Sequence, residues 1–192
     1  MPSQKPQSQS ISDPAVANAL NRVVNQAVKN GRSTEAYLCS LRLPPMFAHD
    51  PKTANAIYAK TISDYCKGIY RLPNGETPKY VAISAEEEGG FPLYKFCLFA
   101  KPGLDLNAED GVEHGRYIAN SKASEFGFGN GTLDVVQLFL QAPRFSVSEP
   151  IAVNEANKAD VMDRLQEHLR DKSSCTGDGT RTLFVSKCPN AS

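Results

Sequence analysis

The chain has 192 residues, of which 41% are hydrophobic and 22% are charged, and these values are ordinary for a globular protein with one sizeable core. Its 21 basic and 21 acidic residues cancel, which argues against a generally basic protein that coats nucleic acid or a membrane surface. No apolar run approaches the roughly 18 residues of a membrane span, and the N-terminus lacks the apolar segment of a signal peptide. We therefore expect a cytoplasmic protein with no membrane partner.

The first part of the chain is predicted to contain a tail, two helices and a strand. Residues 1–12 are rich in Gln, Ser and Pro, a composition typical of disordered segments. Apolar residues at helical spacing predict an N-terminal helix within 13–31, with Asp13 as its N-cap. Alternating apolar residues predict a strand over 35–43, and a spacing of three or four residues predicts a helix over 49–67.

The clearest local prediction is a hairpin in the middle of the chain. Its two strands cover residues 79–85 and 91–100, and an acidic loop over 86–90 joins them. Pro92 is expected near the beginning of the second strand, because proline has no N–H group to donate within a sheet.

The remaining elements are predicted less sharply. Residues 112–126 are compatible with a helix, and the glycine-rich segment 127–131 reads as a loop. The apolar run LDVVQLFL at 133–140 predicts a buried strand. A helix over 155–170 and a last strand over 181–187 complete the order.

These elements predict an α+β fold, with a mainly antiparallel sheet of about five strands and helices packed on it. We assign residues 32–188 to one domain and 189–192 to a C-terminal tail, while the placement of the helix at 13–31 is left open. The five cysteines are odd in number and form no CxxC pair, so we predict neither a disulfide nor a zinc site. Cys39 and Cys97 lie in apolar strands and are expected to be buried.

Three groups of residues are candidates for chemical function. The glycine-rich loop at 127–131 lacks the Lys-Ser/Thr pair that follows a phosphate-binding loop. Glu86, Glu87 and Glu88 lie in the hairpin loop, where they are either ligands for Mg²⁺ or Mn²⁺ or a solvated turn, and we favour the turn. The three histidines fall in separate segments, and none is next to a serine or cysteine in a recognisable nucleophile setting: His49, His114 and His168.

The hairpin sequence YVAISAEEEGGFPLYKFCLFA resembles the core of the inovirus-type replication proteins and of the related YagK/YfjJ C-terminal domain family. Upstream, AYLCSLRLP is similar to the opening strand of that family, and near the end RTLFVSK is similar to its closing segment. The resemblance covers residues 35–187 in the same order, through short and degenerate motifs. It implies the ferredoxin-like sheet of rolling-circle replication initiators.

The resemblance also implies a lost active site. In that family two histidines and a carboxylate hold a divalent cation at a scissile phosphate, which a tyrosine on a later helix attacks. The carboxylate is kept here as Glu86, but Leu93 and Lys95 stand at the histidine positions. His168 or Leu169 takes the place of the tyrosine, depending on a one-residue choice of alignment. The resemblance thus implies a protein that is not an enzyme and that holds no metal or other cofactor.

Our first hypothesis is a non-catalytic protein of a phage or other mobile genetic element, derived from a replication initiator. It would bind DNA or a nucleoprotein complex of the host, with basic residues near one sheet face tracking phosphates. Ordinary solvated charges are the competing interpretation. The residues predicted to contact DNA or the partner are Arg42, Lys95, Arg181, Lys187, Glu86, Glu87 and Glu88.

Two alternatives stay open. The first is a protein-binding inhibitor of a host nucleoprotein defence complex, similar to anti-CRISPR proteins, in which acidic stretches at 86–88, 105–113 and 149–163 imitate phosphates. The second is an active, metal-dependent DNA-nicking enzyme that uses His114 or His168 with Glu86. The oligomeric state is also left open.

Overall fold

Six strands form one antiparallel sheet, and four helices cover its two faces. The computed structural model describes residues 14–73, 75–86, 90–131, 134–170 and 183–186. In that part of the chain the elements are, in order, α1 (Pro14–Ala27), β1 (Thr34–Arg42), α2 (Pro51–Tyr70), β2 (Lys79–Glu86), β3 (Pro92–Ala100), α3 (Glu109–Glu125), α4 (Val135–Gln141), β4 (Arg144–Val147), β5 (Ile151–Val153), α5 (Lys158–His168) and β6 (Leu183–Val185).

The order of strands across the sheet is β4-β1-β3-β2-β6, with β5 also paired to β1, and every pairing is antiparallel. The segment from β1 to β4 runs strand, helix, strand, strand, helices, strand, and its strand order is β4-β1-β3-β2. This is the arrangement of the ferredoxin-like βαββαβ unit. The predicted α+β class with a mainly antiparallel sheet is confirmed, with six strands in place of about five.

The sheet separates two apolar layers because successive strand residues point to opposite faces. On one face Tyr37, Leu41 and Phe96 are buried under α2 and α3. On the other face Val81 and Phe99 are buried under α1 and α5. Each fully buried side chain of this size stabilises the fold by about 1.5–3 kcal/mol relative to exposure, so both helical layers are held by the central strands.

Local sequence signals account for several boundaries. Helix α2 begins after Asp50, whose side chain accepts a hydrogen bond from the Thr53 backbone N–H at 3.0 Å. The predicted hairpin is confirmed, and Pro92 is the first residue of β3, where no N–H is needed. Cys39 and Cys97 are fully buried, as expected from their apolar strands.

Helix α1 packs on the sheet through its apolar stripe. Leu20, Val23 and Val24 are buried and belong to the same cluster as residues of β2, β3 and α5. The sequence left open whether this helix packs on the domain, and the structure shows that it does. Asp13, the predicted tail 1–12 and the predicted tail 189–192 lie outside the described residues. Within the described helices, none is both long and apolar enough to cross a membrane.

The predicted buried strand over 133–140 is wrong, because Val135–Gln141 forms helix α4 on the surface. A short apolar run does not distinguish a strand from a helix by periodicity. Asp134 decides the outcome, since its side chain accepts a hydrogen bond from the Gln137 N–H at 2.8 Å and caps a helix.

The short strands β4 and β5 were not predicted. The other elements agree with prediction to within a few residues at their ends. Helix α3 begins three residues early, α5 is shorter than 155–170, and β6 lies within the predicted 181–187, of which only 183–186 are described.

Candidate functional site

Three cationic residues share one face of the sheet, where β1 ends and β3 begins. In the register, Arg42 on β1 is opposite Arg144 on β4, and Lys95 on β3 is opposite Ser40 on β1. Ser40 and Arg42 are two residues apart, so they point to the same face. We call Arg42, Lys95 and Arg144 the basic sheet end. The sequence predicted the first two as contacts, and the register places them together.

Arg42 contacts Phe91 and Leu140 among the described residues. Its guanidinium carbon lies 4.4 Å from the centroid of the Phe91 ring, in a cation–π arrangement. Its Nη2 donates to the backbone carbonyl of Leu140 at 3.4 Å. These contacts orient the guanidinium group of Arg42 near the start of β3. A planar guanidinium can bind a phosphate through two hydrogen bonds.

Lys95 donates from Nζ to the backbone carbonyl of Arg170 at 3.1 Å, just beyond the end of helix α5. The carbonyl end of a helix favours a cation. Among the described residues, no carboxylate is within ion-pair distance of Lys95 or Arg144. Next to Lys95, the hydroxyls of Ser40 and Ser146 are 2.7 Å apart. Around Lys95 and Arg144, the described residues therefore supply hydroxyl groups and no paired carboxylate.

His168 ends helix α5 beside this face and is tied to the backbone. Its Nε2 donates to the carbonyl oxygen of Cys39 at 2.9 Å, which requires the proton on Nε2 in the neutral ring. Burial lowers the pKa of His168, the Cys39 and Phe96 carbonyls oppose this effect, and the charge of Lys95 lowers the pKa further. His168 is therefore neutral near pH 7 and packs α5 onto β1.

The strand register puts Glu86, the acidic residue that matches the family, out of phase with Leu93 and Lys95. These two residues stand at the family's histidine positions. Glu86 is opposite Pro92 in the β2–β3 register, whereas Ala85 is opposite Leu93 and Ile83 is opposite Lys95. Because strand positions alternate between faces, the register position of Glu86 is on the other face from Leu93 and Lys95. The register thus separates Glu86 from Leu93 and Lys95, although the resemblance groups all three positions at one metal site.

The remaining predicted contacts are Glu87, Glu88, Arg181 and Lys187, and all four lie outside the described residues. The two histidines of the enzyme hypothesis are on different faces of the sheet. His114 lies on α3, with its ring 6.1 Å from that of Tyr65, and His168 lies on α5. In the described ranges, no group of three His, Cys, Asp or Glu side chains is arranged to hold a metal ion.

The described cysteines and tyrosines of the core are poorly suited to act as nucleophiles. Burial raises the pKa of the Cys66 thiol to about 12 and also raises the pKa values of Cys39 and Cys97. A buried neutral thiol is inert compared with an exposed thiolate. Burial likewise raises the pKa of Tyr58 and of Tyr94.

Arg144 is the member of the basic sheet end that sequence reasoning missed. Its strand β4 has only four residues and follows a helix that was interpreted as a strand. The sequence pattern that could have indicated this strand is the alternation in RFSV, which directly follows Pro143. Proline is tolerated at the start of a strand.

Comparison of this chain with protein families, with curated proteins and with solved structures finds no match. The resemblance to replication initiators therefore stays a prediction from the sequence motifs.

Proposed function

We propose that this chain is a non-catalytic DNA-binding protein whose basic sheet end holds the phosphates of a DNA strand. The observation that carries the proposal is the position of Arg42 directly opposite Arg144 on neighbouring strands. Two guanidinium groups at facing positions of one sheet face can together bind one phosphate, which favours an anionic ligand at this place.

Three further features support DNA as the ligand. Lys95 adds a third cation on the same face, one strand away from Arg42. The hydroxyls of Ser40 and Ser146 provide the neutral donors that commonly accompany Arg and Lys at phosphates. In the family that the sequence resembles, the residues that act on nucleic acid stand at the positions of Leu93 and Lys95. Both positions are on the same face of the sheet as Arg42.

The proposal includes the origin that the resemblance implies: a cytoplasmic protein of a phage or other mobile element, derived from a replication initiator that has lost catalysis. Its ligand is DNA or a nucleoprotein complex of the host. The lysine at position 95 would stand where the family holds a cation, and a fixed positive charge there repels a metal ion.

The inhibitor hypothesis has weaker support from the described residues. Two of its acidic residues are paired within the chain, since Glu113 pairs with Arg116 and Glu155 with Lys158. Carboxylates that imitate phosphates should instead be free to meet a basic partner. This hypothesis stays a prediction, and co-purification of a host complex after nuclease treatment would favour it over DNA binding.

Fluorescence anisotropy of a labelled single-stranded oligonucleotide, measured over a series of salt concentrations, tests the proposal. Three phosphate contacts on a single strand predict a slope of about −2 in a plot of log affinity against log salt. The variant with Arg42→Gln, Lys95→Gln and Arg144→Gln should lose most of the affinity and of the slope. Absence of binding by the wild-type protein at low salt would refute the proposal.

The matched control removes the same charge elsewhere. The control substitutions are on α2 and α3, which cover the face of the sheet opposite to the basic sheet end: Lys52→Gln, Lys67→Gln and Arg116→Gln. This triple variant should bind almost as the wild type does, because only general charge is lost.

Incubation of the protein and the oligonucleotide with Mg²⁺ or Mn²⁺ tests the enzyme hypothesis. A nicked product that is formed by the wild type and not by Glu86→Ala would contradict the non-catalytic part of the proposal.

A further inference from the structure

A second group of cations lies at the opposite end of the sheet from the basic sheet end. Strands β1 and β2 begin there and β3 ends there, beside the C-terminal end of α1. These elements line a cavity of about 400 Å³. Arg32 precedes β1, Lys79 is the first residue of β2, and Lys101 directly follows β3. We call this cavity, with its three cations, the α1 pocket.

The α1 pocket is built on the face of the sheet that α1 covers. Lys79 is opposite Phe99 in the β2–β3 register, and Phe99 is buried in the same apolar cluster as α1. Lys79 Nζ donates to Gln26 Oε1 on α1 at 3.0 Å, so this cation is positioned between helix and sheet. The buried hydroxyl of Thr34 donates to the Ala100 carbonyl at 2.7 Å and ties β1 to β3 beside the cavity. The backbone around the cavity is therefore held by contacts within the fold.

The α1 pocket has an excess of positive charge. Three basic residues and one acidic residue line it, which are Arg32, Lys79, Lys101 and Glu76. In the described ranges, no carboxylate is within ion-pair distance of any of these three cations. The chain as a whole has equal numbers of basic and acidic residues, so the excess is a property of this place and not of the protein in general.

A cavity beside α5 has a different charge balance. Two acidic and two basic residues line it and cancel, which are Asp163, Glu167, Arg164 and Arg170. Glu167 also forms an ion pair with Arg170. A concave surface with an excess of one sign of charge attracts ligands of the opposite sign. Of these two cavities, the α1 pocket is the one that favours an anion.

We infer that the α1 pocket binds a small molecule that carries a phosphate monoester group. Such a group has a charge of about −1.5 to −2 at pH 7, which is close to the excess of two positive charges in the pocket. Arginine and lysine bind phosphate oxygens through charge-assisted hydrogen bonds. The exposed hydroxyls of Ser33 and Thr77 also line the pocket and offer neutral donors.

The size and the apolar lining of the α1 pocket favour an organic phosphate over the free ion. Sites for small molecules have volumes of about 300–1,000 Å³, and this cavity of about 400 Å³ is within that range. Phe99, Pro78 and Pro102 provide apolar lining against which an organic group can pack. The pocket therefore has room for such a group as well as for the phosphate.

An NMR titration of the isotope-labelled full chain tests this inference residue by residue. The ligands are inorganic phosphate, ribose 5-phosphate and, as the sugar without phosphate, ribose, all at constant ionic strength. We expect saturable shifts of amide signals that cluster at residues 32–34, 76–79 and 99–102. Ribose 5-phosphate should bind more tightly than inorganic phosphate because its sugar adds contacts, and ribose alone should cause no saturable shift.

The double variant Arg32→Gln with Lys101→Gln removes two of the three cations. Both side chains are exposed, so the melting temperature should stay close to that of the wild type. The dissociation constant for ribose 5-phosphate should rise at least about tenfold. Lys52→Gln with Arg116→Gln is the matched control, since it removes one lysine and one arginine from α2 and α3 on the other face of the sheet. The control should bind ribose 5-phosphate as the wild type does.

The inference is independent of DNA binding at the basic sheet end. The triple variant of the basic sheet end should still bind ribose 5-phosphate at the α1 pocket, and the double variant should still bind the oligonucleotide. Absence of saturable shifts at the pocket, equal affinity for inorganic phosphate and ribose 5-phosphate, or unchanged affinity in the double variant would each overturn the inference. Loss of oligonucleotide binding by the double variant would also overturn it, because the pocket would then belong to a DNA-binding surface.

Discussion

Arg42 and Arg144 are directly opposite each other on neighbouring antiparallel strands, so two guanidinium groups project from one face of the sheet. Cross-strand neighbours of this kind have Cβ atoms about 4.5–5.5 Å apart. Two guanidinium groups at facing positions suit an anionic ligand such as a phosphate group.

The first prediction follows from this pair. Arg144→Glu puts a carboxylate opposite Arg42, and we expect the free energy of unfolding to rise by about 0.2–1 kcal/mol because opposite charges on facing strand positions attract. The same variant should bind single-stranded DNA more weakly. Urea denaturation and fluorescence anisotropy measure the two effects separately. Arg144→Gln is the control and should give a smaller change in both. Loss of both stability and DNA binding would point to a structural role of Arg144.

A second prediction concerns a buried hydroxyl. Tyr58 is fully buried and stacks on Tyr94, with their ring centroids 4.4 Å apart, and its hydroxyl has no hydrogen-bond partner among the described residues. Leaving a buried polar group unsatisfied costs about 1–3 kcal/mol. Tyr58→Phe should therefore leave the melting temperature unchanged or raise it.

Tyr94→Phe is the comparison for this prediction, because the Tyr94 hydroxyl donates to Asn55 Oδ1 at 2.7 Å. Its removal should destabilise the fold by about 0.5–1.5 kcal/mol. If Tyr58→Phe were the more destabilising of the two, the Tyr58 hydroxyl would have a partner such as a buried water.

The third prediction is a pH dependence that arises from His168. Burial lowers the pKa of this residue in the folded state, so the unfolded chain binds the proton first as the pH falls. The contribution of the neutral ring is fully present above the unfolded pKa of about 6.5 and is lost as the pH falls through the lower folded pKa. Acidification below about pH 6.5 should therefore destabilise the wild-type protein.

Chemical denaturation at a series of pH values, for the wild type and for His168→Gln, measures this contribution. The variant should be less stable than the wild type at pH 7.5, because the contact with the Cys39 carbonyl changes. The difference in stability between the two proteins should shrink on acidification. A difference that is the same at all pH values would show that His168 does not titrate differently in the folded state.

The fourth prediction concerns the contact that positions β4. A Cβ added to Gly115 on α3 would lie 2.3 Å from the Phe145 ring, so the ring would have to move. Gly115→Ala should cost about 1–3 kcal/mol of stability, as overpacked cores do. Because Phe145 is next to Arg144 on β4, DNA binding should weaken as well.

Gly131→Ala is the control for that substitution. A Cβ at Gly131 meets no atom within 4 Å, and its backbone is not in the left-handed region. This variant should keep or slightly increase stability, since alanine restricts the unfolded chain. Thermal melts of the two variants give the comparison, and equal losses would mean that helix packing near Phe145 is not the cause.

Much of the fold was determined locally, which is why the sequence predicted it. Helix α2 has apolar residues every three or four positions, and the β2–β3 hairpin has two long alternating strands. Long periodic segments carry many consistent residues, so a few exceptions do not change the prediction. The burial of Cys39 and Cys97 followed from the same patterns.

The candidate site was predicted only in part. Arg42 and Lys95 are in long strands that the sequence predicts, and the register between β1 and β3 places them on one face. Arg144 is in a strand of four residues, which is too short for periodicity to identify. The phase of Glu86 depends on the register between β2 and β3, and a shift of one residue exchanges the two faces of a strand.

By itself, the sequence of this protein determined an α+β chain with a central antiparallel hairpin and buried thiols, because these properties depend on neighbouring residues. The tertiary structure alone decided that 135–141 is an exposed apolar helix, that Arg144 joins Arg42, and that His114 and His168 are on different faces of the sheet. These relations depend on strand register and helix packing between segments far apart in the chain, and no local pattern encodes them.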